Sequence, residues 1–155
     1  MGRKLGLDFG AKTVGVALTD ATGTIVSPLE TIQREKEGKL RPTLRRLAEL
    51  VRTQEVDEIV LGHPLNMDDS RGERAEKTEA FGALLKKRLL DEGLSVKILL
   101  WDERLSTVEA DEILEESGVK KAERKQYIDK IAAALILEDY LKNGVGRGTL
   151  VTEPL

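Results

Sequence analysis

From Leu5 to Asp20 the chain reads LGLDFGAKTVGVALTD, two apolar runs on either side of a short turn that contains Gly10. Apolar runs of this length around a glycine-bearing turn predict a β-hairpin. Asp8 interrupts the first run, and a carboxylate within a sheet is costly unless something compensates its charge. A bound cation is one such compensation, and capping of the turn by the Asp8 side chain is another. This stretch alone leaves both open.

Two kinds of enzyme place an aspartate before the turn of such a hairpin. In metal-dependent nucleases of the RNase H type, the first catalytic Asp lies on the first strand. In actin-, Hsp70- and sugar-kinase-type ATPases, a phosphate loop follows an Asp-x-Gly strand, and two domains close around the nucleotide. A chain of 155 residues forms one domain of ordinary size. The length therefore favours the nuclease.

The composition restricts the cofactors and partners. The chain has no cysteine and a single histidine, so that a metal would be held mainly by oxygen ligands, which suits Mg²⁺ or Mn²⁺. The net charge is −3, and binding of nucleic acid must therefore rest on local basic patches. No apolar run approaches the roughly 20 residues that span a bilayer, and the N-terminus lacks a signal-peptide pattern. These features predict a cytoplasmic protein without a membrane partner.

Strand and helix patterns alternate along the rest of the chain. The spacing of apolar residues predicts an edge strand at 24–32, which contains Pro28, a helix at 42–55, a strand at 58–62, a helix at 73–92, a strand at 96–101, a helix from Ser106 to about Gly118, and a largely buried helix around 127–137. This order predicts an α/β fold in one domain, with a mixed five-stranded sheet flanked by helices. The domain is expected at residues 1–142, and the glycine-containing segment 143–155 is expected to be a flexible tail.

Two further carboxylates lie beside apolar segments. Glu103 ends a predicted buried strand, where its neighbour Asp102 would face the opposite side of the sheet. Asp129 stands at the entry to the buried helix, where it is also a favourable N-terminal helix charge. Together with Asp8 these acids would repel one another unless a divalent cation joins them. Such a cluster is typical of metal-assisted phosphoryl chemistry.

Four segments, in this order, resemble the YqgF family, which is also called RuvX. They are LGLDFG (5–10) with GVA (15–17), GHPLNMD (62–68), DERLST (102–107) and DKIAA (129–133). The resemblance covers about Leu5 to Leu141. The family consists of RNase H-like proteins described as Holliday junction resolvases and as nucleases that process the 5′ end of the small-subunit ribosomal RNA precursor.

The resemblance implies an RNase H-like fold in which Asp8, Glu103 and Asp129 are the catalytic acids and bind Mg²⁺ or Mn²⁺. The residues expected to contact nucleic acid are Lys12, Asn66, Arg71 and Arg104. The basic residues Arg74 and Lys120–Lys125 are further candidates for following the phosphate backbone. Each of these side chains also has a simpler interpretation, as charge balance, as a turn former in the case of Asn66, or as solvated surface.

The chain departs from the family pattern at two places. His63 and Asp69 stand where the motif usually reads Gly-Leu-Pro-Leu-Asn-Met-Asp-Gly, and this lone histidine is not assigned to the site. The related RuvC resolvases carry two acids three residues apart on the last helix. Here the positions three residues before and after Asp129 are Gln126 and Ala132. With three acids in place of four, the occupancy of a second metal site stays open.

The expected function is a metal-dependent nuclease that acts on structured nucleic acid, foremost pre-16S ribosomal RNA, with ribosomal particles as further partners. One alternative is a Holliday junction resolvase, which would need a dimer to cut two strands symmetrically. The sequence shows no dimer interface, so a monomer or a weak dimer is expected. The other alternative is a non-catalytic nucleic-acid-binding or ribosome-associated factor. The retained acids argue against that alternative, and the modest basic charge argues for it.

Overall fold

The structure is a computed structural model that describes residues 2–65, 68, 70–102, 112–144 and 148–151. Its centre is a mixed sheet of six strands in the order β3-β2-β1-β4-β5-β6. The strands are β1 (Arg3–Phe9), β2 (Thr13–Thr19), β3 (Val26–Gln33), β4 (Val56–His63), β5 (Lys97–Asp102) and β6 (Thr149–Leu150). The α/β class, the mixed sheet and the hairpin are therefore confirmed.

The central strands explain the mixture of directions. β1 pairs antiparallel with β2 through the hairpin, and it pairs parallel with β4, which in turn pairs parallel with β5. The continuous apolar runs of these strands suit positions that are covered on both faces. β3 lies at the sheet edge and contains Pro28, where a residue without an N–H donor does least harm.

Helices cover both faces of the sheet. Helices α1 (Arg41–Thr53) and α2 (Glu73–Asp91) pack on one face, in a core that includes Leu7, Phe9 and Phe81. Helix α3 (Lys121–Asn143) packs on the other face, against Val60 and Leu99 among others. Residues 112–116 are helical, and this segment ends in a turn at Gly118, as predicted. α3 begins six residues before the apolar run that predicted it.

The sheet contains one strand more than the five that were predicted. Thr149 and Leu150 pair antiparallel with the end of β5, and the N–H of Val151 donates to the carbonyl of Ile98 at 2.8 Å. A two-residue strand after a glycine-containing segment has too few residues to show alternation, which is why the sequence pattern did not reveal it. The division of the chain at residue 142 stays a prediction. Among the described residues no helix has the length and apolar character needed to cross a membrane.

Two glycines allow α3 to lie directly on the sheet. A Cβ atom at Gly6 would come within 2.8 Å of the carbonyl oxygen of Ala133, and one at Gly15 would overlap the carbonyl oxygen of Asp129. Both glycines are buried within strands, where glycine otherwise weakens a sheet because it has no side chain to pack. These two glycines allow the backbone of α3 to approach the strands closely.

Replacing Gly15 by Ala is expected to lower the free energy of unfolding by about 3 kcal/mol or more, because the new methyl group and the backbone of α3 cannot occupy the same space. Urea unfolding followed by circular dichroism measures this. Gly38→Ala is the matched control, since a Cβ there meets nothing within 4 Å. Equal costs for the two variants would mean that α3 is not seated on Gly15.

Candidate active site

Asp8 lies near the carboxyl end of β1, and its side chain faces α3. It is half-buried, and its Cα partner across the hairpin is Gly15. Directly opposed residues of an antiparallel pair project to the same face, and α3 covers Gly15 on that face. The neighbours Leu7 and Phe9 project to the other face, into the core under α1 and α2. The interruption of the apolar run thus places one carboxylate on the α3 side of the sheet.

Asp129 reaches the same place from the helix. It lies in the third turn of α3 and is half-buried, and its backbone rests on Gly15. Gly15 is in contact with the backbone of Asp129. It is also adjacent to Asp8, because opposed Cα atoms in an antiparallel pair are about 4.5–5.5 Å apart. The backbone of Asp129 therefore lies next to the paired residues Asp8 and Gly15.

The third predicted acid and two predicted contact residues cannot be placed. Glu103, Arg104 and Asn66 lie outside the described residues. Asp102, the last residue of β5, is exposed and is the Cα partner of His63 at the end of β4. Since β1, β4 and β5 are parallel, their carboxyl ends form one edge of the sheet, where α/β proteins bind ligands. Glu103 follows Asp102 directly in the sequence.

The donor set is suited to a hard divalent cation. In the described part of the chain, no three His, Cys, Asp or Glu side chains are grouped so that they could hold a metal ion. The carboxylates of Asp8 and Asp129 are oxygen donors, which Mg²⁺ and Mn²⁺ prefer. Two of the three predicted ligands, Asp8 and Asp129, are among the described residues, and the assignment of the metal site stays a prediction.

The turn that follows Asp8 is held by a residue that the sequence did not single out. The Nη2 group of Arg34 donates to the carbonyls of Gly10 and Ala11 at 2.6 and 2.7 Å. The backbone N–H of Arg34 donates to the carbonyl of Lys12 at 2.7 Å. Arg34 follows a strand in a polar segment, so no local pattern signalled that it is buried. Lys12 is exposed at the tip of this turn, where its side chain is accessible to a ligand.

Arg71, predicted to contact nucleic acid, is paired with Glu79 of α2. Its Nε donates to Glu79 Oε2 at 2.8 Å and its Nη2 donates to Oε1, while His63 Nε2 lies 2.7 Å from the same Oε2. The hydrogen bond from Arg71, and to a smaller extent the one to His63, holds the pKa of the Glu79 carboxyl below its usual range. Glu79 therefore ties the end of β4 to the loop before α2. The role of Arg71 in binding stays a prediction.

Comparison with known proteins confirms the family resemblance. A family model described as "RuvX: Holliday junction resolvase" matches residues 2–143. A protein of Lachnospira eligens named "Putative pre-16S rRNA nuclease" is 48% identical over 141 residues, which are 91% of this chain and 97% of that protein. A protein of the same name from Geobacillus sp. is 44% identical over 139 residues, covering 90% of this chain and 96% of that protein.

Solved structures confirm the fold. The structure titled "T. thermophilus RuvC in complex with Holliday junction substrate" superimposes with a TM-score of 0.57 at 14% identity, over 97% of this chain and 99% of that chain. A second Thermus thermophilus RuvC structure gives a TM-score of 0.57 at 15% identity, over 96% and 99% of the two chains. At this identity the likeness concerns the fold alone, which is RNase H-like.

Glu79→Gln is expected to lower the free energy of unfolding by about 1 kcal/mol at pH 7, because it removes a charge-assisted hydrogen bond. A carboxyl whose folded-state pKa is lowered stabilises the fold above its unfolded pKa of about 4.3, and that contribution is lost as the pH falls through the folded-state pKa. The difference between variant and wild type should therefore shrink below about pH 4. Urea unfolding at a series of pH values measures it.

The control for this experiment is Glu116→Gln, which changes an exposed carboxylate at the end of the helical segment 112–116. It should leave the free energy of unfolding nearly unchanged at every pH. A constant difference for Glu79→Gln across the whole pH range would contradict the role given to its charge.

Proposed function

Since the chain belongs to the RuvX family of nucleases, we propose that it hydrolyses phosphodiester bonds of structured nucleic acid, first of all in pre-16S ribosomal RNA. The observation that carries this proposal is the near-full-length similarity to relatives with that named substrate, at 44–48% identity. The approach of Asp129 to the hairpin that carries Asp8 supports a catalytic protein over a binding factor. The named substrate of the relatives also agrees with the expected cytoplasmic location.

The proposed catalytic acids are Asp8, Glu103 and Asp129. They would hold Mg²⁺ or Mn²⁺, which supplies a water of lowered pKa and neutralises charge on the scissile phosphate. Asp8 is fixed by the sheet register, and Asp129 is fixed by the contact of α3 with Gly15. A fixed backbone at both residues would help to keep their carboxylates in one geometry while the substrate binds. The water oxygen bonds to phosphorus and the bond to O3′ breaks, which leaves a 5′-phosphate and a 3′-hydroxyl.

The proposed contacts to the substrate lie around the same edge of the sheet. Lys12 extends from the turn two residues beyond Gly10 and is exposed, which suits a contact to a phosphate. Arg104 and Asn66 are proposed from the family motifs, and Arg71 from its loop position. Arg71 already has a carboxylate partner in Glu79, and a phosphate would have to compete with that partner.

A four-way DNA junction is the second candidate substrate. The matching family model is described as a Holliday junction resolvase, and this description favours the junction where the names of the relatives favour RNA. The two candidates share the proposed acids and the same chemistry at phosphorus. They differ in the shape of the substrate, and symmetric cutting of a junction needs two copies of the site.

Asp8→Asn is expected to reduce cleavage of the preferred substrate to the level seen with EDTA, because the substitution removes a charged ligand from the proposed metal site. The substrates are end-labelled precursor ribosomal RNA, single-stranded RNA and a four-way DNA junction, each with Mn²⁺ or with EDTA. Asp91→Asn is the matched control, since Asp91 is exposed at the end of α2 and pairs with Lys87 at 3.6 Å. It should cleave as the wild type does.

The substrate that is cut fastest distinguishes RNA processing from junction resolution. Binding of these substrates without cleavage by wild type, unchanged in Asp8→Asn, would overturn the nuclease and leave a nucleic-acid-binding factor. Cleavage that persists in Asp8→Asn would remove Asp8 from the catalytic acids.

A further inference from the structure

Arg34 is buried under the turn that follows β1. Its relative exposure is 7%, and its guanidinium carbon lies 4.7 Å from the ring centroid of Phe9. Among the described residues, only its Nη2 group has carbonyl acceptors, at Gly10 and Ala11. A buried guanidinium carries five N–H donors, so holding the turn uses only part of what this side chain offers.

A second arginine lies against the same ring. The guanidinium carbon of Arg74, at the start of α2, is 5.0 Å from the Phe9 centroid. Phe81 stacks on Phe9 with a centroid distance of 4.2 Å and an interplanar angle of 10°. The positive charge of Arg74 acts on Arg34, whose pKa is lowered by burial first and by Arg74 second. Two like charges are thus gathered around one aromatic ring.

Four guanidinium nitrogens in this cluster have no hydrogen-bond partner among the described residues. They are Nε and Nη1 of Arg34 and Nε and Nη2 of Arg74. A buried donor without an acceptor is costly, and the cost is larger when the group is charged. A water molecule would accept hydrogen bonds here, but it would not neutralise the charge. An anion does both.

One carboxylate already occupies the open side of the cluster. Glu37 accepts from Arg74 Nη1 at 2.7 Å and lies 3.2 Å from Lys77 Nζ. The side chains of Arg74 and Glu37 are 34% and 37% exposed, so the cluster meets solvent at this ion pair. A ligand that displaced Glu37 would meet Arg74 Nη1, which belongs to the same guanidinium as two of the unpaired nitrogens.

We propose that Arg34 and Arg74 form a phosphate-binding site beside Phe9, in which Glu37 occupies the entrance until a phosphate replaces it. The planar forks of arginine match phosphate oxygens, and arginine is the residue preferred for such contacts. The identification of the phosphate as part of the substrate rests on the proposed nuclease function. Phe9 follows Asp8 and faces the opposite side of the sheet, so this site and the proposed catalytic acids flank the same turn from two sides.

The first test measures RNA binding in EDTA, so that cleavage plays no part. Fluorescence anisotropy with a labelled single-stranded RNA gives the dissociation constant over a series of salt concentrations. Arg74→Gln should weaken binding about tenfold and reduce the slope of log K against log salt by about 0.7, the value for one phosphate contact on a single strand. Arg88→Gln is the matched control on the same helix, since Arg88 is paired with Glu92. It should bind as the wild type does.

Glu37→Gln tests the entrance in the opposite direction. It should strengthen RNA binding several-fold, because it removes the competitor while leaving both arginines in place. Glu92→Gln makes the same change of charge at the far end of α2, where the carboxylate pairs with Arg52 and Arg88. A smaller effect of Glu92→Gln separates the site from the general effect of one more positive charge.

The second test uses inorganic phosphate as the probe, and it distinguishes a backbone phosphate from a free anion. At constant ionic strength, phosphate in place of chloride should raise the Tm of wild type and of Arg88→Gln by more than that of Arg74→Gln, since phosphate also stabilises folded proteins without binding to a site. An effect of Arg74→Gln on RNA binding assigns the site to the backbone. An effect on the phosphate shift alone assigns it to a free phosphate anion. Behaviour of Arg74→Gln like Arg88→Gln in both tests would overturn the phosphate site, whatever the outcome of the cleavage assays.

Discussion

The contact between the backbone of α3 and Gly15 is the constraint on which the proposed active site depends. A helix backbone can touch a strand only where the strand has no side chain on that face. Gly6 in β1 and Gly15 in β2 provide two such positions. Because Gly15 is the partner of Asp8, the same contact determines how far Asp129 stands from Asp8. Any side chain at Gly15 would separate the two acids. A residue type that weakens a sheet therefore lies at the place where the helix backbone comes close to the strand.

Because side chains alternate between the two faces along β1, the carboxyl end of this strand has two different electrostatic environments. Asp8 brings negative charge to the face under α3, and Phe9 brings an aromatic ring to the face where Arg34 and Arg74 lie. The sheet itself separates Asp8 from Arg34 and Arg74, so neither arginine forms a salt bridge with Asp8. A phosphodiester chain carries its charges at regular intervals and can meet a cation site and an arginine site at different phosphates. The short turn between β1 and β2 lies between these two environments.

Local patterns in the sequence were enough to predict the elements that have strong periodicity. The hairpin, the buried strands β4 and β5, the edge position of Pro28 and the bounds of α2 all follow from apolar spacing and from turn residues. β6 has only two residues and pairs with β5 across a long sequence separation, and such pairing leaves no local signal. Arg34 reads as an ordinary polar loop residue, because its burial is created by Phe9 and by α2, which come from distant parts of the chain. Asp8 was recognised since a carboxylate within an apolar run is unusual by itself, whereas its approach to Asp129 required the tertiary contact at Gly15.

The balance of charges explains why so few basic residues are informative about binding. The chain has 25 Lys and Arg residues against 28 Asp and Glu residues, and many of its basic side chains are paired, as Arg46 is with Glu30 and Arg52 is with Glu92. A cation that is already paired must give up its partner before it contributes to binding a phosphate. Arg34 and Arg74 differ because each has two buried guanidinium nitrogens without a hydrogen-bond partner among the described residues. In an acidic protein of this kind, discrimination among nucleic acids depends on a few well-placed contacts and on the shape of the substrate, since the overall field of the molecule does not attract a polyanion.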